Sequence, residues 1–110
     1  MQKINELDWQ LLRRIRPLAL ERFCQRVLGE VARITATPDQ AWHERYLLVY
    51  TSIRDRDDEM ARAFNDARRS NALEQLALMM SFDLLTEDEF SEFTDETRAI
   101  VSFLVGEDSA

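Results

Sequence analysis

Carboxylates are the residues of this chain best placed to do chemistry. The densest charged cluster reads Arg54-Asp55-Arg56-Asp57-Asp58-Glu59. On a helix, Asp55, Asp58 and Glu59 share one face, because residues three and four apart are neighbours. Glu89, Glu92 and Asp95 repeat the spacing of three further along. Oxygen ligands set out in this way suit Mg²⁺ or Mn²⁺. Two such helices facing each other could hold a metal for phosphate hydrolysis, with Arg54 or Arg62 on the phosphate. An EF-hand is excluded, since its turn glycine would fall at Met60.

In spacing, these carboxylate pairs resemble those of the all-helical nucleotide pyrophosphohydrolases, which carry Glu-x-x-Glu and Glu-x-x-Asp on adjacent helices. The resemblance implies metal-dependent hydrolysis of a nucleotide, and puts Asp55, Asp58, Glu59, Glu89 and Glu92 forward as metal ligands. The order and types of the residues depart from that pattern. The plainer reading is a solvated helix face laced by Arg54–Asp58, Asp58–Arg62 and Arg62–Asp66 pairs, each worth about 0.3–0.5 kcal/mol. With 21 acids in 110 residues, such spacings recur without a site, so the plainer reading is preferred.

The other reactive side chains are few. His43 has no second His and no nearby Cys to complete a zinc site, and it sits one turn after Asp39 as a helix-surface residue. Cys24 is the only cysteine, which excludes an internal disulfide; its place on an apolar stripe makes it a small core residue. Asp57 falls between Ile53 and Met60, where a carboxylate needs a partner, most simply an arginine of another helix or another subunit. Trp42, Tyr46 and Tyr50 recur every four residues, as core or interface aromatics do. Arg13, Arg14, Arg16, Arg22 and Arg26 make a basic zone that a transcription-associated regulator could use. Glu21 and Glu30 interrupt it.

Helices must position all of these. Two glycines and two prolines punctuate the whole chain, which leaves few options besides helix. Asn5 is expected to cap a first helix with Asp8 at its third position. Pro17 is expected to bend that helix or open a second one, which runs to Ile34 with Leu20, Phe23, Cys24, Val27, Leu28 and Val31 along its apolar side. Gly29 within it fits a close helix crossing or a tolerated surface position. Thr37, Pro38 and Gln40 read as the capped start of a third helix reaching Phe64. Unbroken, it would have to protrude and pair with another subunit; otherwise it must break near Asp55–Asp57. Asn65–Asn71 reads as a turn before a fourth helix. Thr86-Glu87-Asp88-Glu89 is the clearest capping box, opening a last helix that Gly106 can stop. Residues 107–110 are expected to form a loose tail.

The net charge of -7 is spread unevenly: residues 1–36 carry +3, residues 37–82 carry -2 and residues 83–110 carry -8. An acidic chain is a poor general nucleic-acid binder. No apolar run reaches the roughly 20 residues of a membrane span. Met1–Glu6 offers neither the basic stretch nor the apolar run of a secretion signal, so a cytoplasmic location is expected. Thirteen of the fourteen basic residues are arginine, a codon usage typical of GC-rich bacteria. The expectation is therefore an all-α protein, a small bundle of about five helices in one domain over residues 1–106. It acts as a non-catalytic regulatory or protein-interaction module without a cofactor, as a homodimer or with a protein partner not identified from sequence.

Overall fold

A computed structural model describes residues 3–109 and contains five helices, with no strand among those residues. They are α1 (Glu6–Thr35), α2 (Trp42–Phe64), α3 (Ala72–Ser81), α4 (Glu87–Ser91) and α5 (Asp95–Ser109). The all-α class and the number of helices agree with the sequence. The division of the chain among them does not.

The first two expected helices are one. α1 runs through Pro17 for 30 residues. Pro17 lies on the solvent side, where the carbonyl it leaves unpaired can be hydrated. Ile15, Ala19, Phe23 and Val27 are all buried, so the apolar stripe keeps its register across the proline. Asn5 caps α1 as expected, its side chain accepting the Asp8 amide at 2.8 Å. Gly29 marks no close crossing, because an added Cβ there would meet only the Arg33 side chain at 3.7 Å.

α2 opens at Trp42, not at Pro38. Thr37 does not cap it: its hydroxyl donates back to the Arg33 carbonyl at 2.8 Å. Asp39 adopts a left-handed backbone with φ of 65°, which a helix cannot contain. From Trp42 the helix is continuous through Asp55–Asp57 to Phe64. The turn over Asn65–Asn71 is present, closed by Asn71 donating to the Asp66 carbonyl at 2.8 Å.

The expected last helix is two. α4 keeps the capping box, with the Thr86 amide donating to Glu89 at 2.8 Å and the Glu89 amide donating to Thr86 at 3.1 Å. It ends at Ser91, and α5 starts afresh after Thr94. Gly106 does not stop α5, which continues to Ser109; no glycine takes the left-handed conformation that ends a helix. Ala110, the last residue of the expected tail, lies outside the described residues.

The core occupies one end of the molecule. Leu12, Ala19, Leu76, Met79, Leu84 and Val101 are all but fully buried there. Phe23 joins this core to the end of α2 and the end of α3, its ring lying 6.3 Å from both Phe64 and Phe82. Past Val27, α1 buries nothing more, and α2 buries only Ser52 before Ala63. The distal halves of α1 and α2 therefore form an antiparallel arm. It accounts for the elongated shape of 51 × 25 × 24 Å.

Candidate functional site

The arm has two unlike sides. On one, Glu30 accepts the Ser52 hydroxyl at 2.8 Å and lies 3.7 Å from the Arg56 guanidinium. Arg56 also grips Glu59 with bonds of 2.6 and 2.7 Å from one guanidinium nitrogen. The hydrogen bond and charge of Glu59, with Glu30 and Asp55 adding charge, hold the Arg56 guanidinium above its usual pKa. This side is an ionic network bordering a hollow of about 230 Å³, which Glu30, Arg56 and Glu59 help to line.

The other side is apolar and open. A hollow of about 200 Å³ between the helices is lined by Phe23, Cys24, Leu28, Ile53, Asp57 and Met60, among others. A shallower one of about 470 Å³ adjoins it along α1, lined by Leu18, Glu21, Cys24 and Leu28 among others. The two share Cys24 and Leu28, so together they make one trough. Toward the tip, Trp42, Tyr46 and Tyr50 are 78%, 68% and 58% exposed. Ile53 follows them at 41%. Helical spacing puts Trp42, Tyr46, Ile53 and Met60 on one stripe, which is the trough side of α2. Arg45 stacks over the Trp42 ring at 4.4 Å and Arg54 lies over Tyr50 at 5.8 Å.

The expected metal ligands stand apart. Glu59 belongs to Arg56. Glu89 takes two bonds from Arg22, of 2.7 and 2.9 Å. The Arg22 hydrogen bond, helped by the Thr86 amide and opposed by burial, holds the Glu89 carboxyl at about 2. Asp55 sits 3.6 Å from Arg54, while Asp58 and Glu92 are exposed. Among the described residues no group of three or more His, Cys, Asp or Glu side chains converges as a metal ion requires. The three expected surface pairs give way to Arg54–Asp55, Arg56–Glu59 and Arg68–Asp66. His43 is exposed and forms no hydrogen bond or ion pair among the described residues.

Three of the five N-terminal arginines serve the fold instead of a ligand. Arg16 donates to the Phe64 carbonyl, and Arg26 to the Phe82 and Asp83 carbonyls. Arg22 donates to the Leu84 carbonyl at 2.9 Å besides its bond to Glu89. They cap the ends of α2 and α3 and fasten the α3–α4 connection to α1. Their spacing of six and four residues along one helix was the available signal for this role.

Cys24 is a free thiol, half-buried in the trough wall and not in the core. Asp57 lines the trough as its position in the stripe suggested, and no ion pair reaches it among the described residues. Sequence reasoning missed Asp8, which is fully buried. It accepts the Thr94 hydroxyl at 2.6 Å and the Thr94 amide at 3.2 Å. Burial alone would raise its pKa, but hydrogen bonds from Thr94, Thr97 and Asn5 outweigh this and lower it.

No protein-family model, curated protein or solved structure matches this chain.

Proposed function

We propose that the protein is a non-catalytic helical interaction module of the bacterial cytoplasm, joined as a homodimer through its arm. One observation carries this reading: three aromatic side chains on one arm helix stand largely in water beside an uncovered apolar trough. Large apolar groups gathered on one face mark a surface that meets another protein. The metal-dependent and nucleic-acid readings gain no such support, since Glu59 and Glu89 are held by arginines, and Arg16, Arg22 and Arg26 by main-chain carbonyls. The test is the mass in solution by sedimentation equilibrium. A species of twice 12.9 kDa that becomes monomeric on Trp42→Ala with Tyr46→Ala supports the reading. A wild-type chain that stays monomeric at about 50 µM, far above the micromolar Kd of an ordinary specific contact, overturns it.

A further inference from the structure

We infer that the two copies exchange arm tips: Trp42, Tyr46 and Tyr50 of each lie in the trough of the other, between Leu18 and Met60. The inference rests on the homodimer reading and adds which parts meet.

The register within the arm fixes the geometry. Arg45 donates to the Thr35 carbonyl, and Ser52 and Arg56 both meet Glu30. Tyr46 therefore stands near the level of Thr35, and Ile53 near that of Leu28. The tip and the trough occupy successive stretches of one face. A two-fold axis normal to that face, passing near Ile53 and Leu28, superposes each tip on the other copy's trough. Tyr50 then faces Cys24 of the partner copy, Tyr46 faces the partner copy's Glu21, and Trp42 faces the partner copy's Leu18. The result is an antiparallel four-helix bundle, with the isologous contact that closed dimers use.

Area and charge favour this arrangement. Aromatic side chains of roughly 150–250 Å² each, exposed to the extent seen here, leave about 400 Å² uncovered on each tip. The trough that receives a tip loses about half as much. Each copy therefore contributes about 600 Å² and the pair about 1,200 Å², the lower end of the range for specific protein complexes. Glu21 and Asp57, on the trough walls, have no ion pair among the described residues. The tip brings them Arg45, His43 and the Tyr46 hydroxyl. Pairing the arms in parallel would instead set Asp57 against Asp57 and Glu21 against Glu21, which like charges oppose.

Thiol pairing distinguishes the arrangements. Antiparallel exchange separates the two native Cys24 residues by about 12 Å along the bundle at 1.5 Å per residue, beyond disulfide reach. Oxidised wild type should therefore remain uncrosslinked. Tyr50→Cys should give a covalent dimer through Cys24, and Thr51→Cys, on the far side of α2, should not. A second variant leaves the aromatics intact: Ala41→Cys with Cys24→Ala, nitroxide-labelled at the tip. Exchange sets the labels about 36 Å apart by the same helical rise, and parallel arms bring them together. A dimer whose wild type crosslinks through Cys24, or whose tip labels lie side by side, overturns tip exchange and leaves the dimer standing. A monomer overturns both.

Discussion

The Thr94 hydroxyl donates to the buried Asp8 carboxylate at 2.6 Å, joining two residues 86 positions apart. Asp8 lies in the first turn of α1, and Thr94 precedes the first turn of α5. One carboxylate thus accepts donors at the starts of two helices, where the positive ends of both dipoles favour its charge. We predict that Asp8→Ala destabilises the fold by about 2–3 kcal/mol, because it leaves buried donors unpaired. Thr94→Val should cost less, since the Asn5 donor remains. Urea denaturation of both variants checks the order.

Acid should weaken the join between α1 and α4. Glu89 titrates at about 2 in the fold, against an ordinary value of 4.5. A carboxyl with a depressed pKa contributes stability that is complete above the unfolded value and is lost as pH falls through the folded one. The loss therefore runs from about pH 5 down to about pH 2. Its size is about 1–2 kcal/mol, because the Arg22 side chain is 35% exposed and water screens the pair. Arg22→Gln should flatten this part of the stability–pH curve while leaving the Asp8 contribution in place. Thermal melts between pH 2 and 7 would show it, and an unchanged slope would refute the assignment.

Replacing Pro17 should strengthen α1. The ring occupies the exposed side of the helix. Pro17→Ala restores an amide donor for the Arg13 carbonyl. A proline inside a helix costs roughly 3 kcal/mol relative to alanine, and the stiffer unfolded chain that proline provides offsets part of that. The expected gain is about 1–2 kcal/mol, read as a higher denaturation midpoint with an unchanged slope.

Core and arm should answer differently to truncation. Leu76 is fully buried, and Leu76→Ala should cost about 2–5 kcal/mol. Tyr50→Ala removes an exposed ring and should change the stability of a dilute sample by less than about 0.5 kcal/mol. Measured at high protein concentration, the same variant should lower the melting temperature, because a surface that buries itself in a complex stabilises by mass action. Equal effects at both concentrations would count against the arm as an interface.

Where chemistry was local, it could be read from the residues. The Asn5 cap, the Thr86–Glu89 box and the Asn65–Asn71 turn each depend on partners a few positions away. The aromatic stripe was legible too, and its exposure became clear only once the core was seen to stop at Val27. What failed were breaks decided at a distance. Pro17 ends no helix because the stripe on its far side stays buried. Thr94 opens a new helix because Asp8 receives its amide and hydroxyl, and nothing near Thr94 announces that. Arg16, Arg22 and Arg26 resembled a ligand surface because the carbonyls they bind lie 48 to 62 residues away.

The bend between α1 and α2 has a practical use. Pro38 and Asp39 are exposed at the far end of a 51 Å molecule, and the nearest buried residues along the chain are Val27 and Ser52. Extra chain inserted there would lengthen a loop whose entropy grows only slowly with length. A reporter or affinity handle spliced in between them should leave the folded end undisturbed.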